Sequence, residues 1–213
     1  MKIGIFGGTF NPVHVGHLRT VEEVRTDFNL EIVYFVLAKL PPHKSANTLV
    51  SANERYEILK YALSDNPFFK TSSIELRRKK TSYSIDTIKF FKKKFSNDEL
   101  YFILGSDAFL EIKSWFKYEE LLQIVDIVVM FRENFICNDE FLSGLGYSKK
   151  NGDWVNIFNK RIFLTKVTRF DISSSLIRDK IIKNKSIRYF LPEKCVKYIT
   201  KKNLYKGTKK HGK

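Results

Sequence analysis

The chain has 213 residues, of which 43% are hydrophobic and 29% are charged, and its formal net charge at pH 7 is +15. This length allows one large α/β domain with a substantial core, and the composition is typical of a globular protein in water. The longest apolar run, residues 124–131, is interrupted by Asp126 and is too short to cross a bilayer, so we expect no membrane partner. Cys137 and Cys195 are far apart and have no metal-ligand spacing, which favours a reduced, cytoplasmic protein without disulfides.

The positive charge is spread over the whole chain, together with many Ile, Asn and Phe residues. A basic balance can indicate binding to nucleic acid. This even distribution is more typical of a biased coding composition, and no nucleic-acid recognition motif is found. We therefore do not expect nucleic acid as a partner. The alternative from a different functional class is a nucleic-acid-binding protein. Tight, salt-sensitive binding to DNA or RNA would support it.

The opening stretch, residues 3–18, predicts a strand, a glycine turn and a helix. Ile3–Phe6 is a short apolar run of the kind that forms a buried parallel strand. Gly7 and Gly8 then permit unusual backbone angles and the close approach of a ligand. A helical pattern begins at His14. The order is that of the first unit in a nucleotide-binding α/β sheet.

His14 and His17 are three residues apart at the start of the predicted helix, so we expect both imidazoles on one face. Free backbone N–H groups and the helix dipole make this corner suitable for phosphate oxygens, and Gly16 should leave room for a ligand. Metal ligands can share this spacing, but no Cys or third His lies nearby, and we predict no metal site. The glycines do not follow G-x-G-x-x-G, which argues against a dehydrogenase.

The remaining pattern predicts one α/β, Rossmann-like domain over residues 1–205, with a mostly parallel sheet and helices on both faces. A basic tail at 206–213 is expected to be disordered. Residues 133–160 are the least regular, and we expect an insertion or a loop with one helix there. Further strands are predicted at 32–37, 68–76, 100–104, 126–131 and 161–165, and helices at 51–64, 85–95, from 174 and from 193.

Polar motifs follow two of these strands, where open α/β sheets bind ligands. Pro41-Pro42-His43-Lys44 follows the second strand, and Gly105-Ser106-Asp107 follows a later one. Trp115 lies on a loop at the same edge, where it could stack on a flat ring or simply be part of the core.

Hydroxyl groups cluster at the start of the helix predicted at 85–95. Ser84 can cap this helix, but capping accounts for only one or two of the hydroxyls. The more specific hypothesis is that these hydroxyls and backbone N–H groups bind a polar group of a substrate. The hydroxyls belong to Ser82, Tyr83, Ser84 and Thr87.

The second strong motif is Asp171-Ile172-Ser173-Ser174-Ser175-Leu176-Ile177-Arg178. Its serines can cap a helix and, with free N–H groups, bind an anion. Arg178 adds a fixed charge with bidentate geometry. Standing alone, the motif would favour a capped surface helix.

Together, G-G-T-F-N-P-V-H-V-G-H at residues 7–17 and I-S-S-S-L-I-R at 172–178 resemble the two hallmark motifs of the HxGH nucleotidyltransferases. P-P-H-K, S-Y-S-I-D-T and L-G-S-D followed by W-F-K-Y are similar to stretches of bacterial nicotinate-nucleotide adenylyltransferases. The resemblance runs from Lys2 to about Lys206 and is weakest across 133–160. Asn11 stands where this family usually has Asp, and we do not expect it to be catalytic.

The resemblance implies ATP and nicotinate mononucleotide as substrates, with Mg²⁺ accompanying ATP. The catalytic residues it implies are His14, His17, Lys44 and Arg178. The ATP-binding residues it implies are Gly7, Gly8, Thr9, Phe10, His14, His17, Gly105, Asp107, Ile172, Ser173, Ser174, Ser175 and Arg178. The mononucleotide-binding residues it implies are Gly8, Thr9, Lys44, Ser82, Tyr83, Ser84, Thr87 and Trp115.

The implied reaction is in-line attack of the mononucleotide 5′-phosphate on the α-phosphorus of ATP, without a covalent intermediate. The nearest alternative is a related enzyme that uses nicotinamide mononucleotide or phosphopantetheine. His14 argues against phosphopantetheine, since that family typically has Thr there. A catalytically inert nucleotide-binding module is a third interpretation. The sequence leaves the preference for acid or amide open, and also whether the protein forms a homo-oligomer.

Overall fold

The computed structural model describes residues 1–39, 50–78, 81–132 and 137–206. Within these ranges the strands are β1 (Lys2–Gly8), β2 (Ile32–Leu37), β3 (Phe69–Ser72), β4 (Glu99–Gly105), β5 (Asp126–Phe131), β6 (Tyr147–Lys150), β7 (Asp153–Asn156) and β8 (Arg161–Lys166). The helices are α1 (Val15–Asp27), α2 (Ala52–Leu63), α3 (Ser84–Lys94), α4 (Ser106–Leu110), α5 (Tyr118–Ile124), α6 (Asp139–Ser143), α7 (Ser174–Ile182) and α8 (Glu193–Lys201). Residues 207–213, most of the predicted tail, lie outside the described ranges.

The strands form one sheet in the order β3-β2-β1-β4-β5-β8-β7-β6. Strands β1 to β5 and β8 pair in parallel, and the β6–β7 hairpin joins β8 in antiparallel orientation. The central strands are continuous apolar runs because helices cover both faces of the sheet. The strands predicted at 32–37 and 126–131 are confirmed residue for residue.

Successive side chains of β1 enter two cores on opposite faces of the sheet. Phe6 belongs to the core that β1 forms with α1, α2, α7 and α8. Ile3 and Ile5 belong to the core formed with α3, α4, α5 and α6, and both are fully buried. The predicted class, a Rossmann-like α/β domain with a mostly parallel sheet and helices on both faces, is confirmed.

Two predicted elements differ from the structure. β3 is shorter than the predicted strand at 68–76, because the N–H groups of Leu76 and Arg77 bond to the carbonyl of Ser73 and form a turn. Residues 137–160 contain the β6–β7 hairpin as well as a helix, whereas a loop with one helix was expected. Asn151 and Gly152, with φ of 51° and 91°, form the turn, and this dipeptide is a hairpin signal.

The order of the strands creates a crevice next to β1. The chain runs from β1 outward to β2 and β3, and then returns to the other side of β1 as β4. Ligands of open α/β sheets bind at such a switch point, beyond the carboxyl ends of the strands. None of the described helices has the length and apolar character needed to cross a membrane.

Candidate active site

The carboxyl ends of β1 and β4 border open space. Phe6 pairs with Ile103, so Gly7 and Gly105 follow at neighbouring strand ends. A Cβ atom built on either glycine would meet no atom within 4 Å. Asp107 is exposed in the first turn of α4 beside this space. A ligand can therefore approach the backbone of both strands here.

Position 8 requires glycine because of a contact with a neighbouring side chain, not because it faces open space. A Cβ atom on Gly8 would lie 2.7 Å from Cε1 and Cζ of Phe10. Phe10 has a φ of 45°, and its ring is 3% exposed and packs against Phe6 and Phe35. The Phe10 ring is therefore part of the core beneath the loop. The ring is therefore not available to a ligand.

The two histidines of the opening motif lie together, as the spacing predicted. The backbone N–H of His14 donates to Nδ1 of His17 at 3.3 Å, and the ring centroids are 3.7 Å apart with 37° between the planes. His14 is 5% exposed. Its Nδ1 is buried and has no hydrogen-bond partner among the described residues. Buried polar atoms are usually paired, so this nitrogen is a candidate contact for a ligand.

Gly16 makes room for His14 and not for a ligand. A Cβ atom on Gly16 would lie 3.1 Å from Nδ1 of His14 and 3.5 Å from Cβ of Phe170. The expectation that a ligand would lie against Gly16 is therefore wrong.

Burial, together with the smaller effect of the positive charge of Arg132, lowers the pKa of His14 to about 4. At neutral pH His14 is therefore an uncharged hydrogen-bond donor and acceptor in the free protein, not a cation. Arg132 follows directly after β5 and is exposed at the carboxyl edge of the sheet. Sequence reasoning missed Arg132 among 38 Lys and Arg residues, although its place after a buried strand was a usable signal.

The closing motif docks on the opening loop. Ser173 caps α7 by accepting the N–H of Leu176 at 3.1 Å. Ser174 Oγ donates to the carbonyl oxygen of Pro12 at 2.8 Å, and Arg178 Nη1 donates to the carbonyl oxygen of Asn11 at 2.9 Å. The N-terminus of α7 thus lies beside the His14 loop.

The remaining members of the closing motif support this contact. Arg178 Nη2 also donates to Ser175 Oγ at 3.4 Å. The Ile172 side chain is partly buried and packs against the core that includes Phe6. Asn11 is 4% exposed, and its Oδ1 accepts the N–H of Val50 at 3.4 Å, which is a structural role.

The second group of predicted residues also comes together. Tyr83, just before α3, packs against Phe116 with ring centroids 4.4 Å apart and the ring planes tilted by 34°. The neighbouring Trp115 is half-buried and contacts Phe102 edge to face at 6.2 Å. Ser82 Oγ is buried and unpaired among the described residues. The start of α3 and the Trp115 loop therefore lie side by side at one end of the crevice.

Two details of this group correct the sequence analysis. Ser84 is the first residue of α3, so Tyr83 occupies the capping position and makes no side-chain cap. Thr87 is 3% exposed, donates to Glu75 Oε1 at 2.8 Å and accepts from Arg78 Nη1 at 2.9 Å. Its hydroxyl is therefore occupied within the protein, and the expectation that it binds substrate is wrong. Burial raises the pKa of the Glu75 carboxyl.

The predicted His43 and Lys44 lie outside the described residues. Arg55, which sequence reasoning also missed, is 1% exposed and donates to the carbonyl oxygen of Thr9 at 2.6 Å. In the sequence Arg55 looks like any polar residue of a surface helix, and no local signal distinguishes it.

Comparison with known proteins agrees with the resemblance found in the sequence. The profile of the cytidylyltransferase-like family matches residues 5–180. The chain is 39% identical to a protein of Carboxydothermus hydrogenoformans over 205 residues and 40% identical to one of Geotalea daltonii over 213 residues. Each match covers 96% of this chain and 98% of the relative, and both relatives are named "Probable nicotinate-nucleotide adenylyltransferase".

A solved structure of Plasmodium falciparum nicotinic acid mononucleotide adenylyltransferase complexed with NaAD has the same fold. Its TM-score is 0.74 at 21% identity, and the match covers 96% of this chain and 97% of that one. With the family match and the two relatives, these findings show that the chain belongs to the cytidylyltransferase-like family and, within it, to the nicotinate-nucleotide adenylyltransferases.

Proposed function

We propose that the protein transfers the adenylyl group of ATP to nicotinate mononucleotide, giving nicotinate adenine dinucleotide and pyrophosphate in NAD biosynthesis. The observation that carries this proposal is the junction of the two motifs. Arg178 and Ser174 of α7 bond to the backbone of Asn11 and Pro12, directly before the His14–His17 pair. The family of the chain supplies the identity of the substrates.

The mechanism requires no activated side chain, because the attacking 5′-phosphate oxygen is already an anion. The protein has to align this oxygen with the α-phosphorus of ATP and to stabilise the negative charge that spreads in the transition state. We assign this task to His14, His17 and Arg178, with Lys44 as a further predicted cation. His14, neutral at pH 7, acts as a hydrogen-bond donor, while Arg178 supplies a positive charge with bidentate geometry.

The two substrates are assigned to opposite ends of the crevice. ATP lies along the His14 loop, Gly105, Asp107 and the N-terminus of α7. The mononucleotide lies with its ring between the start of α3 and Trp115. Support for the ring site comes from the contact between the Tyr83 and Phe116 rings, which joins these two segments, and from the Oγ of Ser82, which is unpaired among the described residues.

Mg²⁺ is expected to enter with ATP, coordinated by phosphate oxygens and water. Among the residues that the structure describes, no group of three His, Cys, Asp or Glu side chains could hold a metal ion. We therefore assign no protein ligand to the metal. When bound, Mg²⁺ would offset part of the negative charge on the phosphate groups of ATP.

The proposed location is the cytoplasm. Its support is chemical, because Cys137 and Cys195 are both free thiols, as expected in a reducing compartment.

The experiment that tests the proposal measures pyrophosphate release from Mg·ATP with three acceptors in parallel: nicotinate mononucleotide, nicotinamide mononucleotide and phosphopantetheine. Turnover should be strongest with nicotinate mononucleotide. Turnover only with phosphopantetheine would contradict the ring site at α3 and Trp115. No turnover with any acceptor, combined with ATP binding, would favour an inert nucleotide-binding module.

A further inference from the structure

Arg55 occupies an unusual position beneath the opening loop. It belongs to α2 and is 1% exposed. Its guanidinium donates four hydrogen bonds, all to backbone carbonyl oxygens. The acceptors are Val50 at 3.0 Å, Thr9 at 2.6 Å, Ala38 at 2.9 Å and Lys39 at 2.8 Å. Four of the five N–H groups of the side chain are thus accounted for.

The charge of Arg55 has no carboxylate partner in the described parts of the chain, since none of the ion pairs found there includes it. A buried cation without a counterion is costly, and burial lowers the pKa of this guanidinium. The cost is offset by the hydrogen bonds to the four carbonyl groups. The planar fork of arginine can reach all four at once, whereas the single ammonium of lysine cannot.

The four carbonyls belong to separate parts of the chain that meet at the candidate site. Thr9 lies in the opening loop, Ala38 and Lys39 follow the carboxyl end of β2, and Val50 precedes α2. The loop is also joined to β2 by the N–H of Ala38, which donates to the carbonyl of Gly8 at 2.8 Å. Arg55 is thus the side chain that connects α2, the end of β2 and the Gly8–Thr9 backbone.

We propose that Arg55 is a positioning residue for adenylyl transfer. It touches neither substrate. Its fork fixes the carbonyl of Thr9 relative to β2 and so holds the Gly8–Thr9 backbone where the reacting phosphates must be aligned. Small displacements of aligning groups are enough to lower turnover strongly, by up to about 10²-fold for 1 Å. The expected loss of turnover rests on the proposed function. The expected effect on the structure of the loop does not.

The test compares Arg55→Lys, which keeps the charge, with Arg55→Met, which removes it. Because the geometry of the fork and not the charge is decisive, both variants should lose at least about 10-fold in kcat. The KM for the mononucleotide should change less than kcat, since its ring site at Trp115 is not touched. Hydrogen exchange should become faster in a peptide covering residues 6–14 and remain unchanged in β4.

Ile58→Ala is the matched control, because Ile58 is fully buried one turn further along α2 and contacts the core. It should lower the melting temperature without changing kcat or exchange at residues 6–14. A folded Arg55→Lys enzyme with wild-type kcat would overturn the proposal. So would an Ile58→Ala variant that loses kcat as strongly as Arg55→Lys, since the effect would then be one of general stability.

The two proposals can fail separately. Absence of turnover in the unmodified protein with every acceptor would contradict the proposed function alone, because the exchange measurement needs no turnover. Unchanged exchange at residues 6–14 in Arg55→Lys would contradict the positioning role even if the unmodified protein is fully active. If Arg55→Met does not fold, the outcome for Arg55→Lys decides.

Discussion

Ser174 Oγ donates a hydrogen bond to the carbonyl oxygen of Pro12 at 2.8 Å, and this bond joins two motifs that are 162 residues apart in the chain. It fixes the N-terminus of α7 against the loop that carries the histidines. One side of the crevice therefore depends on a contact between the two ends of the domain.

Ser174→Ala should raise the KM for ATP and lower the stability. The Pro12 carbonyl loses its donor, and an unmade hydrogen bond of this kind costs about 1 to 3 kcal/mol when the acceptor is buried. Ser64→Ala is the control, since the Ser64 hydroxyl donates to the carbonyl of Tyr61 on an exposed surface. Steady-state kinetics and urea unfolding measure the two effects. An unchanged ATP KM in Ser174→Ala would show that α7 does not need this bond to bind nucleotide.

His17→Ala should lower kcat by about 10²-fold or more, the loss typical of one well-placed donor to a transition state. The KM values should change less, because the donor acts mainly on charge that develops during the reaction. Single-turnover measurements of pyrophosphate formation separate chemistry from product release. A wild-type rate in this variant would remove His17 from the mechanism.

His14 should make the stability of the protein dependent on pH. Its pKa is about 4 in the folded protein and about 6.5 when unfolded, so the unfolded chain binds more protons between these values. The contribution to unfolding free energy is therefore fully present above pH 6.5 and is lost as the pH falls towards 4, by up to about 3 kcal/mol.

Urea unfolding of the wild type and of His14→Gln at pH 7 and pH 4.5 measures this effect. The wild type should lose more stability than the variant on acidification. Using the difference between the two proteins cancels the other groups that titrate in this range, including Glu75. Equal losses would mean that His14 is not held neutral by the fold.

Trp115→Ala should raise the KM for the mononucleotide and leave the KM for ATP within about 2-fold, because stacking on a flat ring is lost only at one end of the crevice. Trp115→Phe should recover part of the affinity. Trp154→Phe, on the hairpin at the far end of the sheet, is the control. A rise in the KM for ATP instead would contradict the assignment of the two ends.

Thr87→Val should destabilise the protein without changing either KM. The substitution keeps the shape but leaves Glu75 without its donor, at a cost of about 1 to 3 kcal/mol. Thr87→Ser should restore most of the stability. A selective rise in the mononucleotide KM in Thr87→Val would show that its hydroxyl reaches the substrate after all.

The features that sequence predicted well are those with a local cause. The apolar runs of the parallel strands and the strand–glycine–helix unit were predictable because burial on both faces demands such patterns. The hairpin at Asn151-Gly152 was missed, although its turn signal is local, because the flanking strands are short and mostly exposed. The roles of Arg55 and Thr87 depend on partners from other segments, and no local pattern contains that information.

The close fit of Phe10 over Gly8 has a consequence for how this sequence can change. Any side chain at position 8 collides with the ring, and a smaller residue at position 10 would open a cavity beneath the loop. The two positions therefore form a coupled pair, in which a change at one is tolerated only with a compensating change at the other. This packing constrains the loop independently of any ligand, so substitution at these two positions is restricted even in a copy that has lost its activity but must still fold.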